Sequence, residues 1–369
     1  MALIIRCVFI WVALSLMATA VQADQVVELY RADALVKSQS QAQREAAAKH
    51  ALERVLIRVS GNTAAAESPQ ARQALARAQD YVYEYSYAST DETLEGPNGE
   101  PVPASRLHLK FSPASVEQLL RATGLSFWPA NRPTLLVWVV VNSADGLEVV
   151  RDEQVWQALR ERAELRGLPL MAPLFDLEDH LAMPAESLWR MDESAIRNAS
   201  ERYRADAILT LRYSALSDGS LRGNWQLLHS EGDLGFDGAG ATAEELLSGA
   251  IDSVADRFAG LYGISPSESG AASIAMLIDN VHSFGDYKKA ERYLASLALV
   301  RRVQLHSIGA NGLMLNLYTE GDVARLENTL ALDRTLLPAS ESVSLSENRY
   351  QIRGSLLRPL RYRLEGAQP

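Results

Sequence analysis

Apolar and polar positions alternate with strand and helix periodicities in three successive blocks of the chain, of which the first is residues 24–130. A short strand is expected at 26–30, and the tyrosines of 81–87 alternate as on one face of a second strand. Residues 106–111 predict its partner, and the glycine, proline and acidic residues of 90–104 predict an exposed loop between the two. A helical stripe lies between the first two strands in the sequence: Ala48, Leu52, Val55, Leu56 and Val59.

The second block, residues 131–263, mixes strands and helices. Its continuous β-branched run at 135–141 is typical of a strand buried on both faces. We interpret the glycine-rich stretch 232–240 as a loop that leads into a long helix. The order βαβαββα then predicts a small sheet covered by helices. The other expected elements are helices at 152–166, after Asp192 and at 242–261, a short strand at 168–173, and a hairpin of 205–213 with 221–229.

The third block, residues 272–354, follows a linker at 264–271 and precedes a tail at 355–369. Its elements alternate in the order βαββαβ, with the last strand near 350–352, and this order matches a split βαβ, ferredoxin-like unit. The Asn-Gly pair at 311–312 between two alternating runs is a strong β-hairpin signal. The fold class expected for the chain is therefore mixed α/β, or α+β, built from several small sheet-plus-helix modules.

Residues 1–23 have the pattern of a secretory signal peptide. Arg6 is followed by an apolar stretch and then by small residues that end at Ala23. We expect cleavage after Ala23, with Ala20 as the alternative, and either removes Cys7, the single cysteine of the chain. The alternative, an uncleaved anchor, is disfavoured because the apolar run is shorter than the roughly 20 residues that span a bilayer. The expected location is the periplasm, with no disulfide and no membrane span after cleavage.

Composition narrows the class of protein and its partners. Hydrophobic residues make up 47% and charged residues 22% of the 369 residues, as in ordinary folded proteins. The formal net charge of −10 argues against a broad nucleic-acid-binding surface. No nucleic-acid partner is therefore expected.

No catalytic, cofactor or metal motif is recognised among the residues. The six histidines lack the spacing of a zinc site, and the serine-nucleophile and phosphate-loop motifs are absent. The densest polar cluster is Asp176, Glu178 and Asp179, whose carboxylates would suit a hard cation or acid/base chemistry. Because its spacing is not that of a calcium loop, we interpret it as an acidic loop that faces solvent.

Two aromatic groups are candidate interfaces. Tyr83 and Tyr85 would offer stacking surfaces on the tyrosine strand, although a half-buried strand also uses tyrosine for its β propensity alone. Trp128 lies at the junction of the first two blocks, where it either wedges the domains together or anchors a partner. We favour the wedge for Trp128.

Three segments resemble an uncharacterised family of Gram-negative envelope proteins, domain of unknown function 2066. They are Val55-Leu-Ile-Arg-Val-Ser-Gly61, the strand around Tyr83 to Tyr87, and Asn131-Arg-Pro-Thr-Leu-Leu-Val-Trp138. Residues 203–209 followed by 223–227 are similar to a module of periplasmic accessory proteins, among them cell-wall synthase activators, curli pore subunits and flagellar ring-assembly proteins. The first resemblance implies export and the broad fold but no assigned activity, and the second implies function through protein contacts. Neither carries over a site residue.

The sequence thus favours a non-catalytic periplasmic accessory or scaffold protein that docks onto a cell-envelope protein or complex. One alternative is an envelope-polymer hydrolase with carboxylate acid/base groups, for which Asp176, Glu178 and Asp179 are the candidates. The other is a small-ligand-binding module at the junction of the first two domains, since domain junctions often hold pockets. No cofactor is expected, and no oligomeric state is inferred.

Overall fold

The computed structural model describes residues 28–96, 98–265, 272–309, 312–339 and 352–365. It contains three β-sheets that helices cover, so the fold is mixed α and β, as the sequence predicts. The predicted signal peptide, most of the predicted linker and Asn311 lie outside the described residues. The predicted strand near 350–352 lies outside them as well, except for Ile352, which is not in a strand.

The first sheet has the strand order β1-β3-β2, and both neighbouring pairs are antiparallel. Its strands are β1 (Arg31–Val36), β2 (Val82–Glu95) and β3 (Pro101–Phe111). Three helices accompany it, α1 (Gln41–Ser60), α2 (Pro69–Leu75) and α3 (Pro113–Thr123). The predicted stripe of α1 is buried in one core with Leu107, Leu109 and Phe111 of β3. Helical spacing therefore identified the face of α1 that packs on the sheet.

Two predictions for this sheet are wrong. Most of the predicted loop 90–104 is strand, because β2 and β3 continue beyond β1 as a two-stranded arm. Pro101 and Pro103 are tolerated there, since on this arm the strand has a neighbour on one side only. Residues 28–30, part of the predicted first strand, precede β1 and are not in the sheet.

The second sheet has the strand order β5-β4-β7-β8-β9, and β6 also pairs with β4. β4 runs parallel to β7, whereas β7, β8 and β9 form an antiparallel meander. The bounds are β4 (Leu135–Ser143), β5 (Gly146–Val149), β6 (Leu170–Met171), β7 (Ala207–Ala215), β8 (Leu221–His229) and β9 (Leu234–Gly240).

Helices cover both faces of the second sheet. α4 (Glu153–Arg166) and α8 (Ala243–Tyr262) pack on one face, and α5 (Leu177–Ala182), α6 (Ala185–Trp189) and α7 (Glu193–Ser200) lie on the other. Alternate residues of β4 enter the two cores: Val137 and Val139 face α4 and α8, and Trp138 and Val140 face α7. The prediction that 135–141 is buried on both faces is confirmed.

The glycine-rich stretch 232–240 is largely a strand rather than the predicted loop. β9 pairs with β8, and the stacked rings of Phe236 and Trp225 lie 6.4 Å apart. A side chain at Gly238 would overlap the Trp225 ring, so glycine here permits close packing. The predicted start of the long helix is confirmed, since the Thr242 hydroxyl accepts a hydrogen bond from the Glu245 N–H at 3.2 Å.

The third sheet has the strand order β11-β12-β10-β14-β13. Its strands are β10 (Ala272–Asp279), β11 (Val300–Gly309), β12 (Gly312–Thr319), β13 (Leu336–Pro338) and β14 (Leu360–Leu364), with helices α9 (Phe284–Ser296) and α10 (Val323–Ala331). The elements from β10 to β13 follow the predicted βαββαβ order. β14 is inserted between β10 and β13, parallel to β10 and antiparallel to β13. Part of the predicted tail 355–369 therefore belongs to this sheet.

Candidate functional site

The predicted acidic cluster caps and anchors a short helix. Asp176 is the N-cap of α5, and its carboxylate accepts a hydrogen bond of 3.0 Å from the Asp179 N–H. The same carboxylate accepts two hydrogen bonds of 2.9 Å from the Arg202 guanidinium. These hydrogen bonds, that from Arg202 first, lower the pKa of Asp176 to about 2. Asp176 is therefore an ionised anchor that ties α5 to the segment after α7.

Asp179 is buried beneath the helix, with 3% of its surface exposed. Its carboxylate accepts hydrogen bonds from the Tyr203 hydroxyl at 2.6 Å, the Phe175 N–H at 2.8 Å and Arg202 at 3.2 Å. Burial, followed by the hydrogen bond to Asp179, raises the pKa of Tyr203 to about 12. The interpretation of 176–179 as a loop is wrong, because Leu177–Ala182 is a helix, and Asp179 is buried although Asp176 and Glu178 face solvent.

Glu178 takes a different position from its two neighbours. Its side chain is mostly exposed and comes within 3.5 Å of Arg202. Three carboxylates therefore surround one guanidinium, and Arg202 leaves a net negative charge on this segment. Across the described residues, no group of three or more His, Cys, Asp or Glu side chains is arranged to hold a metal ion.

The outer side of the same segment is apolar. Leu174, Leu177 and Leu181 are 67%, 72% and 71% exposed, although large aliphatic residues are usually inside. We name these three residues the leucine surface. Their spacing of three and four residues was a sequence signal for one helical face, but such spacing normally indicates a buried face. The sequence analysis missed the leucine surface.

A cavity of about 240 Å³ lies beside the leucine surface, on the inner side of α5. Phe175 and Met183, which flank the helix, line it together with Trp138 and Val149 from β4 and β5. Phe175 also packs edge-on against Trp156, with ring centroids 5.6 Å apart, and has a left-handed backbone with φ of 53°. Glu148, Arg151, Asp179 and His180 also line the cavity, so a partly apolar recess lies on the inner side of a helix that ion pairs hold in place.

A second concave feature, the junction groove, separates the first two blocks and has a volume of about 1120 Å³. β1, α1 and β3 form one wall, and α4 with residues 168–170 forms the other. Six arginines line the groove: Arg31, Arg54, Arg58, Arg106, Arg160 and Arg162. Four carboxylates line it as well: Glu28, Asp33, Glu161 and Glu164. This is the junction at which the sequence analysis allowed for a ligand site.

Below the groove, three buried arginines join the two blocks. Arg132 donates hydrogen bonds to five backbone carbonyls, among them those of Arg58 at 2.8 Å and Gly167 at 2.9 Å. Arg58 reaches the Glu164 carbonyl at 2.9 Å, and Arg166 reaches the Gly61 carbonyl at 2.8 Å. The contacts of Arg132 with Arg58, of Arg58 with Glu164 and of Arg166 with Gly61 cross from one block to the other.

Helix ends meet closely at this junction. Gly61 after α1 and Gly167 after α4 both have left-handed backbones, with φ of 69° and 70°, which favour glycine. A Cβ at Gly61 would lie 2.5 Å from that of Ala259, and one at Gly167 would overlap Arg132. Glycine therefore both ends the two helices and lets the blocks approach.

The aromatic candidates occupy different environments. Trp128 is fully buried, its ring lies 3.9 Å from the Arg132 guanidinium, and its backbone N–H donates to the Val59 carbonyl at 2.8 Å. Trp128 therefore has the surroundings of a wedge and does not offer an external surface. Tyr83 and Tyr85 are exposed, and a register shift between Val82 and Glu84 interrupts the alternation of the tyrosines.

Part of the chain is similar to an uncharacterised domain. Residues 23–129 match the family model described as a domain of unknown function (DUF8605). The match is confined to the first block and is consistent with the expectation of an uncharacterised family. No curated protein matches the chain.

One solved structure that is similar to the chain is titled as an uncharacterized protein. It is 10% identical and covers 35% of this chain and 91% of its own length, with a TM-score of 0.17. A likeness of this size carries no argument about fold or function. In the part of the chain that the structure describes, no helix has the length and apolar character needed to cross a bilayer.

Proposed function

We propose that this chain is a non-catalytic accessory protein of the periplasm that docks onto a cell-envelope protein through the leucine surface. The observation that carries the proposal is the exposure of Leu177 and Leu181 on α5, and of Leu174 just before it, in a segment anchored by Asp176 and Asp179. Burying each leucine in a partner would contribute about 1.5–3 kcal/mol. The pattern of residues 1–23 and the resemblance to envelope proteins support the proposed location.

The charge around the leucine surface defines the chemistry of the partner. Asp176, Glu178 and Asp179 supply three negative charges, and Arg202 supplies one positive charge among them. A complementary surface therefore has an apolar centre and a basic rim, because opposite charges at the rim of an interface favour encounter and correct orientation. The recess beside Phe175 would accept an apolar side chain of that partner.

The state of the carboxylates disfavours the hydrolase alternative. Acid/base catalysis needs a carboxyl group whose pKa lies near the working pH. Asp176 has a pKa of about 2 and is bound by Arg202, and Asp179 is covered by Tyr203. These groups are better suited to hold α5 than to exchange protons with a substrate.

The test is site-specific photocrosslinking in the periplasm of the native host. A photoreactive phenylalanine analogue at position 181 is expected to trap one envelope protein, and mass spectrometry of the product should map to an apolar patch flanked by lysine or arginine. The double variant Leu177→Glu/Leu174→Glu, which carries the same crosslinker, should lose this product while the circular dichroism spectrum stays unchanged.

The matched control is Leu357→Glu, which changes a leucine that is 73% exposed in the segment after the third block. It should retain the crosslinked product. Equal capture by the double variant and the control would overturn the proposal, and so would a crosslink to a patch with an acidic rim.

A further inference from the structure

Among the described residues, two arginines of the junction groove share one carboxylate, whereas the other four have carboxylates of their own. Arg106 pairs with Glu92, Arg160 with Glu153, and Arg162 with Asp252, and these three acids lie outside the groove lining. Arg31 pairs with Glu28 at 3.0 Å and Asp33 at 3.4 Å. Four of the six arginines therefore already have carboxylate partners.

Arg54 and Arg58 share the remaining ion-pairing carboxylate. Glu164 lies 3.1 Å from Arg58 and 3.6 Å from Arg54, so the stronger contact belongs to the buried arginine. The fourth lining acid, Glu161, accepts a hydrogen bond from Gln157 at 2.8 Å. Arg54 is thus the more weakly paired of these two arginines, and 42% of its side chain is exposed at the surface of the groove.

The pKa of Arg58 also reflects the positive charge of Arg54. Burial lowers the pKa of Arg58, Glu164 raises it, and the positive charge of Arg54 lowers it further. Two guanidinium groups therefore lie close enough to repel each other. An additional negative group beside Arg54 would relieve that repulsion.

The shape of the groove suits a small molecule or an extended segment of one. Ligand sites in proteins commonly have volumes of about 300–1000 Å³, and the junction groove is of that order. Guanidinium groups bind carboxylates and phosphates through paired hydrogen bonds. The planar guanidinium directs two parallel N–H donors at two oxygens of the same carboxylate or phosphate.

We propose that the junction groove binds a small ligand bearing a carboxylate or phosphate group, which Arg54 contacts directly. This site is separate from the leucine surface, since α4 and α5 lie on opposite faces of the second sheet. The two blocks that form the walls are joined by Arg58, Arg132 and Arg166, so the groove is held open with its arginines already placed.

The experiment is isothermal titration calorimetry of the full mature chain at low ionic strength, with inorganic pyrophosphate and citrate as the two probes. Binding of at least one probe at millimolar concentration or below is expected. Arg54→Gln should weaken that binding about tenfold or more, because hydrogen bonds to charged groups are the strong ones. Preference for pyrophosphate would identify a phosphate ligand, and preference for citrate a carboxylate ligand.

The matched control is Arg197→Gln on α7, whose side chain is 47% exposed and pairs with Glu193 and Asp233. It should bind the probes as the unmodified chain does. Hydrogen exchange should also show protection of residues 54–58 and 157–165 on binding. Absence of binding by both probes, or equal weakening in the two variants, would overturn the proposal. The Leu177→Glu/Leu174→Glu variant should bind the probes normally, which separates this site from the proposed docking function.

Discussion

Two regions depart in opposite directions from the usual distribution, in which charged side chains are exposed and aliphatic ones are buried. They are the leucine surface and the junction of the first two blocks. At the junction, Arg132 and Arg166 are buried, and Arg132 forms no ion pair with a carboxylate among the described residues. At the leucine surface, Leu177 and Leu181 are exposed while Asp179 is buried beneath them.

The difference distinguishes side chains that hold the two blocks together from side chains that are available to a partner. Arg132 satisfies all five of its N–H donors on backbone carbonyls, so the interior of the junction is completed by the chain itself. Leu177 and Leu181 are not covered by other described residues, although the helix that carries them is fixed by ion pairs. A buried arginine whose N–H donors are all used indicates a role in stabilising the fold. An exposed apolar face on a fixed helix indicates a surface that binds a partner.

The largest expected effect is at the junction. Arg132→Ala removes the donor to five buried carbonyls, each of which is costly to leave unpaired. We expect a loss of at least about 3 kcal/mol in the free energy of unfolding, measured by urea denaturation with tryptophan fluorescence. Arg197→Ala, at an exposed ion pair, should cost under about 1 kcal/mol. Equal losses in the two variants would remove the distinction between internal and surface arginines.

A smaller effect is expected beneath the leucine surface. Tyr203→Phe removes the hydroxyl that donates to Asp179 and accepts from the Leu174 N–H at 2.9 Å. The expected loss is about 1–2 kcal/mol, with faster hydrogen exchange at the Leu174 amide. Tyr83→Phe, at an exposed hydroxyl, should change stability by less than about 0.5 kcal/mol. Unchanged exchange at Leu174 would show that Tyr203 does not anchor the segment.

The smallest effect is the acid titration of the anchor. Asp176 has a pKa of about 2 in the folded protein, below its ordinary 3.8, so its ion pair with Arg202 stabilises the segment fully above about pH 4. This contribution is lost as the pH falls from about 4 to 2. Titration of the Asp176 carboxyl carbon by NMR should give a midpoint near 2, and Arg202→Gln should move it toward 3.8. A midpoint near 3.8 in the unmodified chain would contradict the anchor.

Periodicity predicted the elements whose apolar positions are unambiguous. α1 and α4 have buried stripes that end at glycine, and these were found from the sequence. β9 was missed because Gly235, Gly238 and Gly240 stand where a strand normally shows side chains. β14 was missed although Leu360, Tyr362 and Leu364 alternate with arginines, since nothing in the sequence shows a late strand entering an earlier sheet.

The candidate sites depended on contacts between distant residues. The sequence identified Asp176, Glu178 and Asp179 as a cluster, but their partner Arg202 lies 23 or more residues away. Arg132 carries no sequence signal, because its acceptors are backbone carbonyls that any residue supplies. Helical spacing reports one apolar face, and only the packing of α5 shows that this face is exposed.

The position of β14 in the third sheet sets an order in which this protein can form during synthesis. β14 pairs with β10 through Met276 and Leu360, and β13 reaches the sheet through β14 alone. The strands of the first two sheets all lie before residue 241 and can close while later residues are still being made. The third sheet cannot close until Leu364 has left the ribosome. A ribosome that stops before Leu360 would release a chain with two finished sheets and an open edge on β10, which is a recognisable substrate for chaperones and proteases.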